Sequence, residues 1–149
     1  MDLKENTNQV FQQVTKAIQE TGREDGSVSV IAVTKYVDIA TAANLIDQGV
    51  KHIGENRVDK FLEKYHALSD KDVTWHLIGS LQRRKVKDII PYVDYFHALD
   101  SLKLAQEIQK RANRKVKCFL QVNISGEESK HGFSKEELLA VLPDLSDRK

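Results

Sequence analysis

Apolar positions along this chain alternate between two spacings. From about Thr7 to Glu20 they fall three and four apart. Val10, Phe11, Val14, Ala17 and Ile18 share one side, and Gly22 follows as a stop. That spacing predicts a leading amphipathic helix. The run Val28 to Thr34 is apolar and β-branched, as a buried strand is. Asp38 then stands where it can cap a helix carrying Ile39, Ala42, Ala43 and Ile46, which Gly49 ends. The alternation repeats. Lys51 to Gly54 precedes a helix with Val58, Phe61, Leu62 and Tyr65 on one face. Thr74 to Ile78 precedes a helix with Val86, Ile89 and Ile90, closed by Pro91. Tyr95 to Ala98 precedes a helix capped by Ser101 and carrying Leu104, Ala105 and Ile108. Val116 to Asn123 precedes a helix opening on Ser134-Lys135-Glu136-Glu137, a capping box.

Five strand–helix units in a row predict an α/β fold with a parallel sheet. Two architectures accept the pattern, a doubly wound open sheet and part of a (β/α)8 barrel. Both place chemistry at the carboxyl ends of the strands. Here those ends read Thr34-Lys35, Gly54-Glu55-Asn56-Arg57, His76-Leu77-Ile78-Gly79, His97-Ala98-Leu99-Asp100 and Val122-Asn123-Ile124-Ser125. They are rich in hydrogen-bonding side chains, whereas the opposite ends are mostly charged and loop-like. No repeat or linker interrupts residues 1–149, which read as one domain.

Composition narrows the class. The 149 residues carry a net charge of +1, and 40% are hydrophobic. That balance argues for a globular protein over a disordered or nucleic-acid-coating one. No leader-like segment opens the sequence, and no stretch approaches the ~18 apolar residues of a membrane span. The expected setting is cytoplasmic, without membrane or nucleic-acid partners. The single cysteine, Cys118, excludes an intrachain disulfide and reads as a small core hydrophobe in a reducing compartment.

Among the strand ends, Lys35 carries the most chemistry. An amine driven towards the core at a strand terminus is desolvated, which favours the neutral, nucleophilic form suited to Schiff-base formation. The plainer alternative is a lysine that snorkels to solvent. His76 is placed to meet a cofactor or substrate, or to bond a neighbouring loop. His52, His66, His97 and His131 lack metal-ligand spacing with one another or with Cys118, so no metal site is expected. Glu55 and Arg57 read as a local ion pair. The run Gln82-Arg83-Arg84-Lys85-Val86-Lys87 reads as the solvated face of an amphipathic helix. Tyr36, next to Lys35 on a strand, would point away from it.

Taken in order, the motifs at the strand ends carry a resemblance. They are Ala32-Val33-Thr34-Lys35, Gly54-Glu55-Asn56-Arg57, Trp75-His76-Leu77-Ile78-Gly79-Ser80-Leu81-Gln82, His97-Ala98-Leu99-Asp100-Ser101, and Gln121-Val122-Asn123-Ile124-Ser125 with Glu128, Ser129-Lys130 and Gly132. From about Val28 onwards the chain resembles the YggS/PROSC family of pyridoxal phosphate homeostasis proteins, which are themselves similar to the amino-terminal barrel of alanine racemase. The resemblance implies a TIM-barrel fold of the pyridoxal phosphate type III class, here about five strand–helix units preceded by a helix. It implies that Lys35 holds pyridoxal 5′-phosphate as a Schiff base, that Asn56 lies near the cofactor, and that the loop Ser125 to Gly132 borders the cleft, which makes Lys130 a further site candidate beside His76.

The family's late segments that cradle the cofactor phosphate have no match here, and a full barrel takes about 250 residues. The expectation is therefore an incomplete barrel with weakened cofactor binding. Its exposed sheet edges would favour self-association or pairing with a chain that supplies the missing strands. The implied function is a non-catalytic carrier that serves cofactor homeostasis and supplies pyridoxal phosphate-dependent apo-enzymes. No catalytic residue is assigned. A racemase of the alanine racemase type ranks second, for want of a tyrosine opposite the lysine. A Schiff-base aldolase ranks third, since only Lys35 supports it.

Overall fold

The computed structural model describes residues 2–24, 26–124 and 132–146. Helix α1 spans Leu3–Glu20. It starts a turn earlier than the apolar periodicity announces, because Asp2 caps it by accepting from the Glu5 N–H at 2.8 Å. Gly22 follows with φ +71°, the left-handed geometry that stops a helix. Then come β1 (Ala32–Val33), α2 (Ile39–Asp47), β2 (His52–Glu55), α3 (Val58–Ala67) and β3 (Thr74–Leu77). A short α4 (Val86–Ile89) sits between two 3-10 turns, and β4 (Tyr95–Leu99), α5 (Leu102–Arg111), β5 (Lys117–Leu120) and α6 (Lys135–Ser146) complete the order.

The caps legible in the sequence are in place. Asp38 accepts from the Thr41 N–H at 2.8 Å, Ser101 from Leu104 at 3.1 Å and Ser134 from Glu137 at 3.1 Å. The segment after β3 departs from the expected single helix: Pro91 has no N–H for the α-helical ladder, and a 3-10 turn at Ile90–Tyr92 takes over.

All four strand pairings are parallel, in the order β1-β2-β3-β4-β5. A doubly wound sheet reverses its strand order at a switch point. Five consecutive parallel neighbours without a reversal form an arc of a (β/α) barrel. The register separates two faces. Ile53, Trp75 and Phe96 alternate outward into one core with Phe61 of α3, Val86 and Ile89 of α4, and Leu104 and Ile108 of α5. Their strand neighbours Gly54, His76, Tyr95 and His97 occupy the concave face.

The two edge strands are shorter than their sequence runs. β1 keeps only the Ala32–Ile53 and Val33–Gly54 pairs, and Val28 stays exposed. Each edge lacks a second ladder among the described residues, and a strand bonded on one side has half the reason to persist. The exposure of β5 corrects the reading of Cys118. All four residues of β5 are exposed, so this thiol is a surface group and not part of the core.

Candidate functional site

Thr34 sits just past β1 with every polar atom engaged. Its N–H donates to the Gly54 carbonyl at 3.0 Å, which extends the ladder by one step. Its hydroxyl donates to Glu55 Oε2. Its carbonyl accepts from the Val37 N–H at 3.2 Å and from Lys64 Nζ at 2.7 Å. Lys35, the next residue, is exposed. The desolvated strand-end amine expected from the sequence is therefore not what the fold builds. The chain turns at Thr34, with the Val37 N–H closing the turn, and turns face water. Lys35 Nζ lies 5.1 Å from the centre of the Tyr36 ring, which is itself 88% exposed. The two side chains meet because the backbone has left the extended form, so strand alternation no longer separates them.

Behind this exposed head is a buried ion pair. Glu55, the last residue of β2, is fully buried on the outward side of the sheet. Lys64 of α3 is 4% exposed and donates to Glu55 Oε2 at 2.9 Å. A buried charge needs a partner of this kind. The local Glu55–Arg57 pair expected from the sequence is replaced: Arg57 pairs instead with Asp59 at 2.9 Å, on the surface. A signal for the buried pair was present. Lys64 falls three residues after Phe61 and four before Leu68, on the apolar stripe of α3, and Glu55 shares strand parity with buried Ile53.

Asn56 follows β2 and is half-buried. Its backbone lies against Gly79, just beyond β3, so closely that a Cβ on Gly79 would stand 2.2 Å from the Asn56 carbonyl oxygen. The Ile78 N–H donates to the Glu55 carbonyl at 2.8 Å beside this contact. Glycine at 79 thus lets the carboxyl ends of β2 and β3 close on each other.

His76 lies within β3, not at its tip. Parallel pairing sets it between His52 and His97 on the concave face. His52 Nδ1 is 3.0 Å from His76 Nε2, and His76 Nδ1 is 2.9 Å from His97 Nε2. Both ring nitrogens are taken by neighbouring strands rather than by a loop. Tyr95 stacks on His76 at 4.6 Å, and Phe119 packs on His97 at 4.8 Å. Burial first, then the two flanking imidazoles, lower the pKa of His76 to about 4. Burial also lowers that of His97. Sequence spacing did not announce this row, because residues 21 and 24 apart meet only through strand register. The rings bond one another side by side, and no group of three His, Cys, Asp or Glu among the described residues is arranged to hold a metal. Lys130 lies outside the described residues.

Arg83, Arg84 and Lys87 are exposed while Val86, Ile89 and Ile90 are buried, as the amphipathic reading of the basic run expects. No helix among the described residues is long and apolar enough to cross a membrane.

Residues 7–149 match the family model described as the alanine racemase N-terminal domain. The pyridoxal phosphate homeostasis protein of Aquifex aeolicus is 39% identical over 141 residues, which span 93% of this chain and 62% of that protein. Its counterpart in Pseudomonas aeruginosa is 33% identical over 140 residues, spanning 92% of this chain and 61% of that one. This chain thus spans about three-fifths of the length of these curated relatives. Among solved structures, PipY of Synechococcus elongatus with pyridoxal phosphate bound superposes with a TM-score of 0.78 at 32% identity, over 91% of this chain and 64% of PipY. An alanine racemase of Clostridium difficile, 16% identical, shares the fold with a TM-score of 0.66 over 85% of this chain and 34% of that one.

Proposed function

The chain belongs to the alanine racemase N-terminal domain family, and from that premise we propose that it binds pyridoxal 5′-phosphate as a Schiff base on Lys35 and serves intracellular homeostasis of that cofactor. One observation carries the reading: an exposed amine stands at the carboxyl end of the first strand, on a base whose polar atoms are all engaged. The relatives' names and the pyridoxal phosphate bound to PipY support the choice of cofactor.

The residues present fit part of the cofactor. Lys35 offers the amine for its aldehyde, and Asn56 flanks the next strand end. His76, with both ring nitrogens already engaged, serves as a wall of the concave face along with Tyr95 and Phe119. Lys130, outside the described residues, is a further candidate. Bound there, the cofactor would supply an electrophilic aldehyde for the Lys35 amine to hold through a bond reversible by exchange with another amine. Reversibility suits a carrier that gives the cofactor to apo-enzymes in the cytoplasm.

Racemisation is the weaker reading. It needs a second acid–base group opposite the lysine. The tyrosine beside Lys35, Tyr36, lies against the lysine itself.

Borohydride trapping with pyridoxal phosphate, followed by peptide mapping, tests the assignment. A secondary-amine label on Lys35 is expected. A label on another lysine with Lys35 unmodified overturns it. The open arc adds a second expectation. Val33 at the β1 edge is 53% exposed, and Phe119 and Leu120 of β5 are 53% and 37% exposed. Unpaired edges and uncovered apolar side chains favour association. Sedimentation should show self-association, or pairing with a chain that brings further strands. A monomer at high concentration would refute this.

A further inference from the structure

We infer that Lys64 is a positioning residue for Lys35: with Glu55 it clamps the Thr34 carbonyl and so fixes the backbone from which the Lys35 amine projects. The inference rests on the reading of Lys35 as the cofactor-bearing lysine. Lys64 lies 30 positions beyond Thr34 on a different element, and among the described residues only it and Glu55 are ionisable and buried on the outward side of the sheet. Its ammonium donates to the Thr34 carbonyl at 2.7 Å and to Glu55 at 2.9 Å. The Thr34 hydroxyl donates to the same Glu55 oxygen, which closes a three-residue ring of contacts linking the turn after β1 to β2 and α3. The other oxygen, Oε1, is buried with no hydrogen-bond partner among the described residues. All of the carboxylate's holding power is thus directed at Thr34 and Lys64.

A buried ion pair is a poor device for stability alone. Its desolvation cost offsets its attraction, and two apolar residues of similar size often do as well. Here the pair contacts the residue immediately before the reactive lysine, so its effect falls on geometry. A rigid base confines an otherwise free amine to fewer orientations, which raises its rate of attack on a bound carbonyl. The clamp also separates the roles of two lysines beside one cleft, which Lys35 and Lys64 both line. Lys64, buried and donating to both a carboxylate and a carbonyl, is held away from any carbonyl reactant in the cleft. Among the described residues Lys35 carries no such bonds, only the face of Tyr36.

The test uses the double variant Glu55→Gln with Lys64→Met. It removes both charges together, while the introduced side-chain amide keeps an acceptor for the Thr34 hydroxyl. Three readouts are taken on the chain as it stands: circular dichroism with thermal unfolding, hydrogen exchange at the Val37 amide, and the initial rate of borohydride-trapped label on Lys35 with pyridoxal phosphate. The expected result is a folded variant with Val37 protection reduced at least tenfold and Lys35 labelling slowed at least tenfold. A folded variant with protection and labelling rate equal to wild type overturns the clamp and leaves the functional reading standing. A wild-type chain that takes no label on Lys35 overturns the functional reading, and the clamp with it. Should the double variant not fold, the wild type decides by reductive methylation with formaldehyde and cyanoborohydride, in which Lys64 should react at least tenfold more slowly than Lys35. Equal rates overturn the inference.

Discussion

Acidifying the protein from pH 7 to pH 4 should remove stability through one buried ring. His76 is 3% exposed and sits between two other imidazoles, with Tyr95 stacked on its face. The Tyr95 hydroxyl in turn meets the Lys117 ammonium at 3.2 Å, which adds positive charge on the same face. Hydrogen bonding by itself permits a protonated His76, since His52 and His97 can each turn an acceptor nitrogen towards it. Burial and the neighbouring rings oppose the charge, and they lower the pKa from 6.5 to about 4. Between those two values the unfolded chain holds a proton at this residue that the folded chain does not. Stability therefore falls as pH falls through this window, levels off below about 4, and is unaffected above 6.5. A gap of about 2.5, at about 1.4 kcal/mol for each pKa unit, is worth about 3 kcal/mol.

Urea unfolding at intervals between pH 7.5 and pH 4, in wild type and in His76→Gln, isolates this contribution, because the carboxylates titrate in both. The wild type should lose about 3 kcal/mol more than the variant over that range. The titration of the ring protons by NMR should give apparent values for the coupled row rather than three independent ones. Equal losses in the two proteins, or a His76 ring that titrates near 6.5, would refute the reasoning.

Two further outcomes follow from the same geometry. Gly79→Ala places a methyl group 2.2 Å from the Asn56 carbonyl oxygen, so β2 and β3 must part at their carboxyl ends. A loss of at least about 2 kcal/mol is expected in denaturant melts, with the largest amide shift changes at Asn56 and Ile78; an unchanged midpoint would show that the strand ends are loosely held. Conversion of L- to D-alanine should be negligible, because Tyr36 lies on the lysine itself, and turnover at about 1 per second or faster would establish a racemase instead.

What the sequence by itself determined is what neighbouring residues encode. The period of apolar positions marks the helices and strands, the caps Asp38, Ser101 and Ser134 mark helix starts, and Gly22 and Gly49, at φ +71° and +104°, mark helix stops. Each of these features acts within a few residues of itself, so each can be read locally. The strand-end motifs also nominated Lys35 and Asn56, whose cofactor roles are proposed. Only the tertiary structure decided the rest. It exposed Lys35, because the chain turns at Thr34. It made β1 and β5 short strands, each with one ladder among the described residues, and left the residues of β5, Cys118 included, exposed. It joined His52, His76 and His97 in a row and set Lys64 of α3 under Thr34. These contacts span 21 to 30 residues, and they exist only once strand register and helix packing have been fixed by burial of β2, β3 and β4 against α3, α4 and α5.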